Sequence, residues 1–224
     1  MTPCLPFEGV VPVVIALVGK THSNKSKIAQ YITRYSKGKF ERVITYTTCP
    51  TASARPHTWM SNEDFQKLHK EDFFYCHTFE EGQKYFVLKS QLLGEGDKIL
   101  VVDDPQYLKN LPALGVPYVI VFVGCSNDIV LDHARSVDDI TETKMRLAQT
   151  GDRLREFKKS GDYNMYINTA KLVKSSQQLA IAMFVDEVLT WQCDRESDEM
   201  HLPFIGKNIS LKSYSLVTNR FCFK

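Results

Sequence analysis

Three unbroken apolar segments constrain the fold of this chain more than any other feature. Residues 11–18 (VPVVIALV) contain no polar residue and stop at Gly19, and residues 98–103 (KILVVD) and 117–125 (PYVIVFVGC) are nearly as apolar. A strand with one solvent-facing side alternates apolar and polar residues, so strands of this kind are buried on both faces. These segments therefore predict a parallel sheet that is covered by helices on both sides.

Helical patterns separate these buried strands along the chain. Because buried strands that alternate with helices imply right-handed crossovers, the order of elements indicates the α/β fold class. The predicted helices cover residues 25–35, 106–114, 126–159 and 175–191, and a last short strand covers residues 165–168.

A different pattern fills the stretch from residue 42 to residue 87. Residues 42–46 (RVITY) predict a short strand, and Ser61 with Asp64 three residues later predicts the capping box of a short helix. Residues 73–87 are rich in aromatics and predict a small antiparallel patch. The tail 201–224 fits neither pattern and is interpreted as an appended extended segment.

Composition argues against several classes of protein. The 224 residues include 28 basic and 26 acidic ones, and a formal net charge of +2 gives no sign of wholesale nucleic-acid binding. None of the six cysteines pairs in a C-x-x-C spacing, so no zinc site is predicted, and scattered cysteines are typical of a reducing, cytoplasmic compartment. No apolar run reaches the ~18 residues that indicate a membrane span.

The loop after the first strand nearly matches the phosphate-binding pattern G-x-x-x-x-G-K-[ST]. From Gly19 to Ser26 it reads GKTHSNKS, so only the second glycine differs, and Asn24 stands there. Asparagine is the residue that best replaces glycine where φ is positive. A strand, a turn that exposes backbone amides and a helix start together favour phosphate binding. The alternative is a plain strand-to-helix connection that happens to contain Lys-Ser.

The motifs after this loop resemble, in the same order, those of the guanylate kinase family. The quoted segments are ITYTTCP (44–50), HTWMSNEDFQKLHKEDFFYCHTF (57–79), KILVVDD (98–104), ITETKMRLAQTGDRL (140–154) and NMYINTA (164–170). The resemblance covers about residues 11–191. It implies a P-loop kinase core with a parallel sheet flanked by helices, a small mixed-sheet subdomain that binds a nucleoside monophosphate, and a helical lid.

The resemblance also implies domain limits. The guanylate kinase-like domain is expected at residues 1–198 and a C-terminal extension at 199–224. Within the domain, the core is expected at 11–48 and 98–191, the monophosphate-binding subdomain at about 49–90, and the lid at about 133–160.

Carried over residue by residue, the resemblance implies an ATP site at the loop. Lys25 is expected on the transferred phosphoryl group, Ser26 on Mg²⁺, and Asp103 near that ion through water or near the acceptor phosphate. Lid arginines are the expected catalysts, because phosphoryl transfer depends on positioning and charge neutralisation. Arg135 and Arg146 are the candidates, and a solvated helix charge is the alternative for either. The ATP-binding candidates are Gly19, Thr21, Ser23, Asn24, Lys25, Ser26 and, at the adenine, Asn168.

The acceptor side departs from the family pattern. Cys49 stands where the family has an arginine that grips the monophosphate, a second arginine falls at Ala52, and Arg55 is the candidate replacement. Tyr75 stands where a family glutamate reads guanine, and a phenol cannot accept the two donors that guanine presents. GMP specificity is therefore not expected. The acceptor-binding candidates are Thr47, Thr48, Arg55, His57, Tyr75, Tyr85 and Asp103.

Three functional hypotheses follow. The first is an ATP-dependent nucleoside or deoxynucleoside monophosphate kinase with altered base choice, working as a monomer or homodimer with ATP and Mg²⁺. The second is a guanylate kinase-like protein-interaction module without turnover. The third is an ATP-binding pseudokinase whose altered acceptor pocket binds a protein. The kept donor loop favours nucleotide binding, because interaction modules of this type tend to keep the other pocket.

Overall fold

A computed structural model describes residues 12–50, 57–78, 82–136 and 140–169. The predicted helix 175–191 and the tail 199–224 lie outside these residues. The strands are β1 (Val14–Gly19), β2 (Phe40–Arg42), β3 (Thr45–Thr47), β4 (His57–Trp59), β5 (Phe73–Thr78), β6 (Lys84–Leu88), β7 (Asp97–Val102), β8 (Tyr118–Gly124) and β9 (Met165–Asn168). The helices are α1 (Lys25–Tyr35), α2 (Asn62–Gln66), α3 (Lys89–Leu92), α4 (Asn127–Ser136) and α5 (Ile140–Ser160), with 3₁₀ turns at Lys70–Asp72, Pro105–Asn110 and Pro112–Leu114.

The main sheet is parallel throughout, in the order β2-β7-β1-β8-β9. All six residues of β1 are buried, because each face of the strand packs against a different layer. Ile15 and Leu17 belong to the cluster that includes the buried face of α1, whereas Val14, Ala16 and Val18 belong to the cluster on the opposite side. The predicted α/β class with a helix-covered parallel sheet is confirmed.

The second sheet is small and mixed, in the order β4-β3-β6-β5. Strands β3 and β4 are parallel, and β3 pairs with β6 in the antiparallel sense. The antiparallel pairing of β5 with β6 is the patch that the aromatic segment 73–87 predicted. Phe86 is completely buried here. Its ring centroid lies 5.1–5.4 Å from the ring centroids of Tyr46, Phe65 and Phe73. The aromatic side chains are therefore the core of this sheet.

The single strand predicted over residues 42–46 is wrong. The segment is shared between the two sheets: β2 ends at Arg42 in the main sheet and β3 starts at Thr45 in the small one. Val43 lies between them, buried, and its N–H donates to the carbonyl of Ile99 at 2.9 Å, whereas Ile44 is exposed. A continuous β-branched run in the sequence hides this change of sheet.

The long helix predicted over residues 126–159 is two helices, α4 and α5, with residues 137–139 outside the described part of the chain. Half of the predicted capping box of α2 is confirmed, since the Ser61 hydroxyl accepts from the backbone N–H of Asp64 at 3.0 Å. The Asp64 carboxylate accepts from the Ser61 hydroxyl, at 2.8 Å, where a capping box has it accept from the Ser61 backbone. Among the described residues, no helix is both long enough and apolar enough to cross a membrane.

Two arginines fasten α5 to the end of β7. Arg153 donates to both carboxylate oxygens of Asp104, at 3.0 and 2.6 Å, and Arg146 donates to Asp103 at 3.0 Å. The arginines are seven residues apart, which is about two helical turns, so both point to the same side of the helix. The helix is thereby held at the edge of the sheet where the strands end.

Candidate functional site

The loop between β1 and α1 lies directly against β8. A Cβ atom on Gly19 would come within 2.3 Å of the Val123 carbonyl oxygen and 3.2 Å of the Ser23 hydroxyl. Contacts below 3 Å to backbone are not relieved by rotating a side chain, so only glycine fits at this position without moving a strand. The first glycine of the predicted pattern therefore has a packing reason in this fold.

Two residues of the loop have left-handed backbone conformations. His22 has φ of 56° and Asn24 has φ of 71°, in the position where the phosphate-binding pattern has its second glycine. The Asn24 carbonyl accepts from Ile28 at 3.0 Å, so the left-handed residue is also the point from which α1 starts. Asparagine thus provides the positive φ for which the pattern uses glycine.

Lys25 is folded back into the loop that precedes it. Its side chain is 4% exposed, and its ammonium group donates to the carbonyls of Gly19, at 2.9 Å, and Lys20. The same nitrogen lies 3.4 Å from the Ser23 hydroxyl and 2.9 Å from a carboxylate oxygen of Asp103. A buried ammonium requires such partners. The loop therefore holds one positive charge at the carboxyl edge of the sheet.

Lys20 ties the loop to the neighbouring strand. It donates to the Cys125 carbonyl at 2.8 Å and to the Asn127 side-chain oxygen at 2.6 Å, at the end of β8 and the start of α4. Burial lowers the pKa of Lys20. No pattern in the sequence pointed to this contact, because it joins residues more than a hundred positions apart.

Asp103 is the point where the loop and α5 meet. One of its oxygens faces Lys25 at 2.9 Å and the other faces Arg146 at 3.0 Å. Arg146 also donates to Glu142 at 3.0 Å, and its guanidinium lies 5.5 Å from the centre of the Tyr85 ring. Burial raises the pKa of Asp103, but the charges of Lys25 and Arg146 outweigh that effect and lower it to about 2. Asp103 is therefore ionised at neutral pH.

This pKa predicts a dependence of stability on pH. Because the folded pKa lies below the ordinary value of 3.8, Asp103 stabilises the fold above that pH and loses its contribution as pH falls toward about 2. We expect the difference in unfolding free energy between wild type and Asp103→Asn to shrink by ~2 kcal/mol over that range. Urea unfolding at several pH values measures it. Asp152→Asn, at a carboxylate that is 83% exposed, is the control. A difference for Asp103→Asn that does not change with pH would contradict the prediction.

Several of the predicted acceptor-side residues lie in or next to strands of the small sheet. Thr47 and Thr48 are buried, and the Thr48 hydroxyl accepts from the Lys84 N–H at 3.0 Å. The His57 ring lies edge-on to Tyr85 with centroids 5.1 Å apart. Cys49, which the resemblance aligns with an arginine of the guanylate kinase family, is buried.

Tyr75 and Tyr107 form a parallel ring stack. Their centroids are 4.3 Å apart and the rings are inclined by only 14°. Burial and the nearby Asp103 raise the pKa of Tyr75, so its phenol stays neutral, and its hydroxyl bonds to Thr45. Tyr107 was not predicted as a site residue, because it lies in a short 3₁₀ turn whose sequence pattern suggests only packing.

The arrangement suits a triphosphate better than a divalent cation. Three features of the loop are typical of phosphate-binding loops. Gly19 has no room for a Cβ atom, Asn24 has a positive φ, and the loop holds a buried lysine, Lys25. The predicted Mg²⁺ ligands are already turned toward cations: Asp103 faces Lys25 and Arg146, and the exposed Ser26 hydroxyl accepts from Arg42 at 3.2 Å. These residues do not fit a divalent ion as they are arranged.

The other predicted lid arginine pairs away from Asp103. Arg135 is 65% exposed at the end of α4 and pairs with Asp132 within its own helix, at 2.6 Å. Thr21 lies half-buried in the turn of the loop, and Asn168 ends β9 in register with Gly124. Arg55 lies outside the described residues. The structure therefore brings Arg146, rather than Arg135, to the loop.

Comparisons with known proteins give a loose likeness only. No protein-family model matches the chain, and no curated protein matches it. Among solved structures, the chain is similar to a guanylate kinase from Anaplasma phagocytophilum, with a TM-score of 0.49 and 13% identity, over 96% of this chain and 98% of that one. It is also similar to APE1195, with a TM-score of 0.41 and 12% identity, over 85% and 98% of the two chains. The first is a member of the family that the motifs resemble, and neither likeness decides an activity.

Proposed function

We propose that this chain is an ATP-dependent nucleoside or deoxynucleoside monophosphate kinase of guanylate kinase type, with an acceptor other than GMP. The observation that carries the proposal is the convergence of Lys25 and Arg146 on Asp103, beside the loop at residues 19–26 that nearly matches the phosphate-binding pattern. One cation comes from the loop and the other from α5, so two separate elements supply charge to one point.

This convergence suits phosphoryl transfer, which depends on positioning and on neutralising charge over several oxygens. In the structure, Asp103 pairs with both cations, and Glu142 pairs with Arg146 as well. A phosphate group carries more negative charge and more acceptor oxygens than a carboxylate, so it can replace Asp103 as the partner of Lys25 and Arg146. Asp103 then keeps the cations in place before nucleotide arrives and orients the acceptor afterwards.

The acceptor pocket argues against guanine. Reading guanine requires acceptors for its two ring-edge donors, and Tyr75 has one phenol oxygen that is already bonded to Thr45. Its stacking on Tyr107 offers an aromatic surface instead of a carboxylate. A pocket of this kind selects an acceptor by stacking and shape. The small-molecule partner is therefore proposed to be a monophosphate with a different base.

One feature favours a second candidate, an ATP-binding pseudokinase. Cys49 is buried where the family has a phosphate-gripping arginine, and Arg146 is held by both Asp103 and Glu142. If these contacts persist when nucleotide binds, ATP occupies the loop without a productive acceptor.

A panel of acceptors separates the candidates. ADP release is measured with ATP and each common ribo- and deoxyribonucleoside monophosphate, beside calorimetric titration of ATP alone. We expect turnover with at least one acceptor at a rate well above that with GMP. ATP binding without turnover on any acceptor would favour the pseudokinase, and absence of ATP binding would exclude both candidates.

A further inference from the structure

Arg42 is a cation at the loop that the site as described does not use. It is the last residue of β2 and pairs in register with Ile99 of β7, so it stands at the edge of the main sheet near the start of α1. Its Nη2 donates to the Ser26 hydroxyl at 3.2 Å. Ser26 is the residue that the loop pattern assigns to a magnesium ion.

The Arg42 charge is not balanced by an acid among the residues that the structure describes. Burial lowers its pKa, but from an ordinary value of 12.5, so the guanidinium stays charged at neutral pH. Its neighbour Glu41 pairs instead with Lys98 at 2.6 Å. A half-buried guanidinium with only a hydroxyl as partner is costly unless an anion joins it.

The surroundings of Ser26 do not suit a metal ion, because three cationic side chains lie there: Arg42, Lys25 and Arg146. Lys25 and Arg146 both face Asp103, the one carboxylate predicted to support Mg²⁺, and Arg42 faces the hydroxyl. Magnesium requires several oxygen ligands in octahedral geometry, and its charge would be repelled by these cations. A guanidinium offers the fork of N–H donors that fits phosphate oxygens directly.

We propose that Arg42 takes the place of the divalent cation at Ser26 and binds the ATP phosphates itself, so that ATP binds to this chain without metal. The inference rests on the proposed ATP site at residues 19–26. It gives Arg42 a role that the sequence motifs do not assign, since the residue lies between the loop at 19–26 and the first quoted motif at 44–50.

The test is calorimetric titration of ATP into the full chain, once with excess Mg²⁺ and once with EDTA. Wild type is expected to bind ATP with affinities that agree within about threefold in the two conditions. Arg42→Gln keeps an amide donor but loses the charge, and is expected to weaken binding in EDTA by roughly tenfold to a hundredfold. Arg42→Lys, which keeps the charge, is expected to lose less. Arg155→Gln removes a 69%-exposed arginine of α5 and leaves binding unchanged.

Each outcome decides the proposal. If wild type binds ATP only when Mg²⁺ is present, or if Arg42→Gln binds as tightly as wild type in EDTA, Arg42 does not replace the ion, while the proposed kinase function stands. If wild type binds ATP in neither condition, both proposals fail. Should Arg42→Gln not fold, judged by its thermal melt, the comparison of wild type in the two conditions still gives the answer.

Discussion

Replacing Lys25 with methionine is expected to lower kcat/KM for ATP-dependent phosphoryl transfer by about a thousandfold or more. The ammonium is the only charge of the loop that is buried within it, and it lies 2.9 Å from both the Gly19 carbonyl and Asp103. Methionine has a similar volume and no charge, so the loop keeps its packing while phosphate loses its main partner.

A continuous ADP-release assay with the best acceptor measures this effect, and a thermal melt shows that the variant folds. Lys109→Met is the matched control, because Lys109 is an exposed lysine of the 3₁₀ turn at Pro105–Asn110. Equal activity of wild type and Lys25→Met would show that phosphoryl transfer, if any, happens elsewhere in the molecule.

Gly19→Ala is expected to lower the free energy of unfolding by about 3 kcal/mol. The added methyl group would meet the Val123 carbonyl oxygen at 2.3 Å, and Gly19 and Val123 are register partners in adjacent parallel strands. The clash is with the Val123 backbone, which no side-chain rotation relieves, so either β1 and β8 separate locally or the loop moves away from β8.

Gly151→Ala is a well-matched control for this substitution. Gly151 lies inside α5, and a Cβ there would have no atom within 4 Å. Alanine favours the helix over glycine, so we expect a gain of about 0.5–1 kcal/mol. Urea unfolding followed by circular dichroism compares the two variants. If Gly19→Ala does not lower the free energy of unfolding relative to Gly151→Ala, the loop is not packed tightly against β8.

The main sheet could be predicted because its signal is local. Residues 11–18, 99–102 and 117–125 carry no charged residue and are almost entirely apolar, which is the usual sequence pattern of a strand buried on both faces. The chain then divides between two sheets at Val43 and Ile44, where only the long-range bond to Ile99 shows which sheet each residue joins. Sequence periodicity carries no information of that kind.

The site residues that belong to sequence motifs could be predicted. Lys25, Asp103 and Arg146 were named from the loop, the end of a strand and the lid motif, and the structure places them in contact. Arg42 could not be predicted, because it contacts Ser26 from a strand that belongs to no motif. The Arg153–Asp104 pair could have been predicted from spacing. Arg153 lies two helical turns after Arg146, and Asp104 directly follows Asp103, the partner of Arg146.

Backbone amide NMR during an ATP titration tests most directly whether residues 19–26 wrap the triphosphate. We predict that the largest shifts fall on amides of this loop and the first turn of α1, and that they vanish in Lys25→Met. Shifts confined to other parts of the chain, or none at saturating nucleotide, would contradict the claim that this turn is a phosphate site.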